Sequence, residues 1–150
     1  MKLKKTITKE FRFDSSHRLN NPELSEEENK RIFGKCNNLP SHGHTFKLFV
    51  TVKKKCYEED DEDYLENGMI INFNELKRIV NEEVIEVFDH HFINDLGCMS
   101  GLITTCENTI SVIWNLLEDK LDKAGVELIK LKLYETDTSF CELEKEVDEE

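Results

Sequence analysis

Two segments of this chain alternate apolar and polar residues with a period of two, and in both the apolar parity ends in histidine. Across residues 3–13, Leu3, Ile7, Phe11 and Phe13 share one parity, and continuing it brings Ser15 and then His17 to the same side. Across 45–53, Phe46, Leu48, Val50 and Val52 share the other, and His42 and His44 lie on it just upstream. Alternation sends every second side chain to one face, so each segment reads as a strand with one buried face. If the second strand begins near residue 42, both of its imidazoles point the way its apolar row points.

The rest of the pattern fills in a layer above those strands. The apolar stretch GMIINF leads into a helix: Asn72 and Glu75 have capping-box character, and Leu76, Ile79, Val80, Val84 and Val87 keep helical spacing. Thr104 and Glu107 suggest a second capping box, opening a helix with the stripe Ile110, Ile113, Trp114, Leu117 and Leu121. A strand over 126–135 and a partner over 138–146 follow. The order strand, strand, helix, helix, strand, strand points to an α+β layer rather than a parallel doubly wound sheet. Ile129, Leu131 and Leu133 form an odd-parity row whose next member is Glu135, and a carboxylate at the end of a buried face needs a partner there.

Composition bounds what such a layer can be. With 150 residues, 38% of them hydrophobic, the chain fits one domain over 1–150, and no repeat or linker divides it. No apolar run is long enough to span a bilayer, and MKLKKTITKEF lacks the apolar centre of a signal peptide. The expected location is therefore the cytoplasm, with no membrane partner. Five cysteines without close pairing read as reduced thiols rather than a disulfide framework. A net charge of −12 argues against nucleic acid, whose phosphates need a basic surface, but leaves room for a small anion held by local cations. CYEEDDEDYLEN (56–67) and the terminal ELEKEVDEE read as solvated acidic runs.

The five histidines stand at 17, 42, 44, 90 and 91. An H-x-H pair on one strand plus His17 from its neighbour meets the three-ligand pattern of a catalytic zinc, which keeps its fourth position for water or substrate. A polar turn with hydrogen-bonded histidines is the alternative for the same residues. Cys36 admits three readings: a fourth ligand closing a structural site, a thiolate acting as nucleophile or base, or a small apolar filler, which spacing alone favours. Cys56, Cys98, Cys106 and Cys141 read as filler or surface residues. FDHHFIND sets Asp89 beside His90, which suits proton transfer but is more commonly structural when met alone. His91 has no assigned role.

FDSSHRL, SEEENKRIFGKCNNLPSHGHTFKLFVTV, GMIINFNELK, FDHHFIND, TTCENTISVIW and LKLYETDTS occur in the order found in the 6-pyruvoyl tetrahydropterin synthase family. The chain resembles that family from about residue 8 to about residue 142. The resemblance implies a T-fold, a four-stranded antiparallel sheet with two helices on one face. It also implies a homohexamer of two stacked trimers, whose sheets close into barrels with active sites between subunits. By motif, His17, His42 and His44 correspond to the zinc ligands. Cys36 corresponds to the catalytic thiol, displacing the filler reading. Asp89 and His90 correspond to an Asp–His pair supplied by a neighbouring subunit. Glu135 corresponds to the glutamate that holds the pterin's 2-amino and ring N–H groups, the partner its position demands. TTCEN resembles the second pterin-contacting segment, aligning Thr105 and Glu107 with family positions while Cys106 replaces the second threonine.

The implied substrate is 7,8-dihydroneopterin triphosphate, with Lys35 and Arg18, then Lys30 and Arg31, as candidate cations for its phosphates. Branches of the family differ in product. Five residues between Cys36 and His42, and the run GKCNN, follow the branch that makes 6-pyruvoyl tetrahydropterin. ETDTSF leans toward the 6-carboxy-tetrahydropterin branch on the route to queuosine, which releases acetaldehyde. A third branch carries glutamate where Cys36 stands, and the cysteine argues against it. From another class, a non-catalytic zinc- or pterin-binding protein on the same scaffold is the alternative, against which the intact residue set counts.

Overall fold

The computed structural model describes residues 3–56 and 64–146. Parts of the two acidic runs, 57–63 and 147–150, lie outside the described residues. The chain runs β1 (Ile7–His17), α1 (Glu26–Phe33), β2 (His42–Lys54), α2 (Phe73–Val80), α3 (Cys106–Lys123), β3 (Val126–Thr136) and β4 (Ser139–Glu144). The strands form one sheet in the order β1-β2-β3-β4, each antiparallel to its neighbour.

Register carries the histidines to one place. Phe13 pairs with Phe46, Ser15 with His44 and His17 with His42, so the apolar row continues into the polar one across both strands. Phe13, Phe46, Leu48, Val50 and Val52 are buried against Leu76, Val80, Val84, Ile113, Leu117 and Leu121 of the helices. The helical layer thus covers one face of the sheet, as the alternation requires. Leu3 does not join the row: the strand begins at Ile7 and Leu3 is exposed.

β3 departs from simple alternation twice. Thr51 pairs with Lys130 but Val52 with Leu128, which leaves Ile129 as an extra residue. The inward residues are therefore Val126 and Leu128 before the bulge and Leu131 and Leu133 after it, so Ile129 is not part of the row expected from parity. A second irregularity lies between Tyr134 and Thr136, leaving Glu135 unpaired with β4. Bulges re-aim side chains, and this one lies at the end of the strand where the histidines gather.

The helix starts also differ in detail from expectation. Asn72 caps α2 by accepting from the Asn74 N–H, while Glu75 pairs with Arg78 instead of closing a box. α3 is capped by Thr105, whose side chain accepts from the Asn108 N–H, so Thr104 is free for another task. A full capping box occurs at α1, between Ser25 and Glu28, a short helix that apolar periodicity does not reveal. α2 continues through a π-helical stretch, Asn81–Ile85, and a last turn, Glu86–Phe88. Its wider turns keep four-residue steps on the core face, so Phe88 is fully buried and Val87 only partly.

Candidate metal and pterin site

His17, His42 and His44 stand at the ends of β1 and β2 on the covered face. Their ring centroids are 4.5 Å (His17–His42), 5.1 Å (His17–His44) and 4.8 Å (His42–His44) apart. His17 is buried, and its Nδ1 lies 2.8 Å from the Thr104 carbonyl. A carbonyl can only accept, so Nδ1 carries the proton and Nε2 presents its lone pair. That Nε2, both ring nitrogens of His42 and Nε2 of His44 are buried without a hydrogen-bond partner. Buried polar nitrogens without partners are costly in a folded chain, and four in one cluster call for a shared partner.

Burial holds the His17 and His42 pKa values below the usual 6.5, and the neighbouring imidazoles of the cluster lower both as well. Both imidazoles are thereby kept neutral, the form that ligates a metal. Glu135 completes the group: one donor atom from each of His17, His42, His44 and Glu135 lies within 4.8 Å of the others. The Glu135 Oε1 is 3.3 Å from His44 Nε2, but the two are not aligned as a hydrogen bond. Three imidazoles and a carboxylate fit a borderline divalent cation such as zinc.

Cys36 lies in a tight turn, Gly34–Asn37, and is partly buried. The turn is tied to the chain just past His17: Leu19 N–H donates to the Cys36 carbonyl at 2.9 Å. The buried Asn37 amide donates to Leu19 O at 2.8 Å and to Asn20 Oδ1 at 3.0 Å. Arg18 Nε donates to the Asn37 carbonyl at 2.8 Å, so this candidate phosphate cation also braces the thiol's turn.

Asp89 and His90 form a second group with Asp14. His90 Nδ1 is 2.9 Å from one Asp89 oxygen, and the other accepts the Asp14 N–H at 2.9 Å. That backbone bond first, and His90 second, hold the Asp89 carboxyl below its usual range, while Asp89 raises His90. His90 sits in the left-handed region, φ +58°, with its own N–H donating to the Asp14 carbonyl. Its side chain is 77% exposed. An open cleft of about 540 Å³ runs past Asp14, Ser16, Gly43, His44, Thr45 and His90. Among the described residues, Cys36 belongs to neither donor group.

Thr105 spends its hydroxyl on the helix cap, and Glu107 is exposed at the first turn of α3. The segment touches the metal group through a residue that motif reasoning passed over: Thr104, whose carbonyl orients His17. Thr104 is itself buried, with its hydroxyl 3.3 Å from the Arg18 carbonyl and 3.2 Å from Asn94 Oδ1. Asn94 grips the Arg18 backbone from both sides, accepting its N–H at 3.0 Å and donating to its carbonyl at 2.8 Å. Asp14, Asn37, Asn94 and Thr104 act through backbone groups, which leave no pattern in side-chain spacing.

Comparison with known proteins agrees with this geometry. Residues 6–146 match the profile of the 6-pyruvoyl tetrahydropterin synthase family. The 6-pyruvoyl tetrahydrobiopterin synthase of Dictyostelium discoideum is 39% identical over 135 residues, covering 89% of this chain and 91% of that protein. The 6-carboxy-5,6,7,8-tetrahydropterin synthase of Haemophilus influenzae is 32% identical over 157 residues, covering 93% of this chain and 98% of that one. The structure of Caenorhabditis elegans 6-pyruvoyl tetrahydropterin synthase superposes with a TM-score of 0.77 at 26% identity, covering 94% of this chain and 95% of that one. Its fold is the T-fold expected from the motifs.

Proposed function

The chain belongs to the 6-pyruvoyl tetrahydropterin synthase family, and from that membership we propose that it is a zinc-dependent lyase converting 7,8-dihydroneopterin triphosphate to 6-pyruvoyl tetrahydropterin with loss of triphosphate. The observation that carries this reading is the cluster of three imidazoles whose unpartnered nitrogens converge beside Glu135.

His17, His42 and His44 would hold the ion, with Thr104 fixing the His17 tautomer. Bound zinc would supply Lewis acidity toward the hydroxyl oxygens of the pterin side chain. Glu135 accepts from the pterin's 2-amino and ring N–H groups, a bidentate match between carboxylate and paired donors. Thr105 and Glu107 line the same binding region. The Cys36 thiolate removes the proton from the side-chain carbon, acting as a general base without a covalent intermediate. His90, oriented and kept protonatable by Asp89, passes protons between side chain and ring. Arg18 and Lys35 lie on the chain segments flanking the site and are the proposed cations for the triphosphate.

Because the His90 side chain is turned to solvent, we assign the pair to a neighbouring copy in a homohexamer of two trimers. The chain is taken as one domain acting in the cytoplasm; among the described residues, no helix is long and apolar enough to cross a membrane.

Similarity to the H. influenzae protein favours a second product, 6-carboxy-tetrahydropterin with acetaldehyde, from the same substrate. The deciding experiment is anaerobic incubation of zinc-loaded protein with dihydroneopterin triphosphate and mass analysis of the pterin. A pyruvoyl side chain is expected. A carboxyl side chain assigns the second product, and full zinc occupancy with no turnover makes the chain a non-catalytic binder.

A further inference from the structure

Cys106 and Cys141 lie outside the machinery described so far, on different elements, yet their sulfurs are 2.9 Å apart. That is closer than non-bonded sulfurs ordinarily rest, and about 0.9 Å beyond the length of an S–S bond. Cys106 is the first residue of α3, directly after the cap Thr105. Cys141 is on β4, opposite Leu133 of β3, and the Cys106 thiol also points at the Leu133 carbonyl, 3.4 Å away. Both thiols are partly buried and unbridged. The elements that hold them bound the pterin region on two sides: Thr104 and Thr105 precede Cys106, and Glu135 sits on the same hairpin as Cys141.

We propose that Cys106 and Cys141 are a reversible dithiol–disulfide pair, a modification site for low-molecular-weight disulfides, whose closure ties the start of α3 to the β3–β4 hairpin and alters pterin binding. The step balances as ordinary thiol–disulfide exchange. The thiolate of one cysteine attacks one sulfur of the reagent and releases its first thiol, leaving a mixed disulfide. The thiolate of the other then attacks the sulfur of the first cysteine and releases the second. The cysteines lose two protons and two electrons, and the reagent is reduced to two thiols.

Either sulfur can donate to the other across this contact, and either thiolate can open the exchange. Three further facts bear on reversibility: the pair is 35 residues apart in sequence, joins a helix to a strand, and is partly buried. The consequence for pterin binding rests on the function proposed above; formation of the bond does not.

The test uses the full-length, zinc-loaded chain, exposed to oxidised glutathione, alkylated, digested without reduction and mapped by mass spectrometry. A peptide joining Cys106 to Cys141 is expected, with the intact mass lower by two hydrogens, reversal by dithiothreitol, and no such peptide from C106S or C141S. Glutathione on the exposed Cys56 shows that the oxidant acted. Recovery of Cys106 and Cys141 as separate alkylated or glutathionylated residues under those conditions overturns the pair. Coupling to the site is read as the dissociation constant for 7,8-dihydroneopterin, expected to change about fivefold or more on bridging in the wild type and not in C141S. A bridge that leaves the affinity unmoved overturns the coupling. A chain that binds no pterin in either state overturns the proposed function, while the peptide map still decides the bond.

Discussion

At the scale of single residues, the proposed site divides into groups assigned to hold and groups assigned to react. His17 is the most committed holder, since its second nitrogen is fixed on Thr104. Cys36 is outside the donor cluster, so Cys36→Ala should retain zinc at full stoichiometry and lose about 10²–10⁴-fold in turnover. Metal analysis and rate together check this, and loss of zinc would make Cys36 a ligand. Glu135 poses the opposite question, because its carboxylate shares the cluster with the imidazoles. Glu135→Ala should keep the metal and weaken pterin binding by about 2–5 kcal/mol, measured calorimetrically; loss of metal instead would make the carboxylate a fourth ligand. Asp89 and His90 carry a pH signature. Asp89 raises His90 above 6.5, so the pair's contribution is present below the unfolded-state value near 6.5 and is lost as pH climbs through the higher folded one. At the acid end it is lost as Asp89 takes up its proton below its ordinary 3.8. Imidazole NMR should give His90 a midpoint above 6.5 that falls in D89N. A wild-type midpoint at 6.5 or below would dissolve the pair.

At the scale of elements, the strands position the proposed ligands and the end of α2 positions the proposed proton relay. Phe88 is fully buried, 5.5 Å from the Phe13 ring, and its carbonyl accepts the Ser15 hydroxyl, so it anchors the turn that carries Asp89. Phe88→Ala should cost about 3–5 kcal/mol in denaturant unfolding, since it empties a site walled by the sheet. A loss below about 1 kcal/mol would mean that the helix end repacks without its anchor. The strand–helix order, the helices' inner faces and the three histidines were all legible in the sequence, because each rests on local periodicity that burial turns directly into structure. Ile129 was misplaced, because a bulge inverts parity without any mark in side-chain type. α1 went unread, since its acidic, capped sequence has almost no apolar stripe. Glu135 was legible as an anomaly, a charge closing an apolar row, but the bulge that frees it from β4 was not. Thr104 and Asn94 were illegible for another reason: they act through backbone contacts between segments distant in sequence, and local pattern carries no trace of those.

At the scale of the whole molecule, one chain holds every proposed group but in two separate donor clusters, with Cys36 in neither among the described residues. The histidines and Glu135 face the helical layer, whereas Asp89 and His90 lie beside β1, one of the two edge strands, with His90 largely in solvent. A relay aimed outward beside an edge strand can serve a second copy that packs there, and symmetry then makes every copy both giver and receiver. This arrangement has a consequence that no single-chain site shares. C36A and H90A should each be nearly inactive alone, one lacking the base and the other the relay. When the two are unfolded, mixed in equal amounts and refolded, a site with Cys36 from one copy and His90 from another is intact by chance in about a quarter of cases. Activity of the mixture should therefore rise to about a quarter of wild type, while mixtures prepared without subunit exchange stay inactive. If thiol and relay come from the same chain, no pairing of these two variants restores a site, and the mixture stays as inactive as its components.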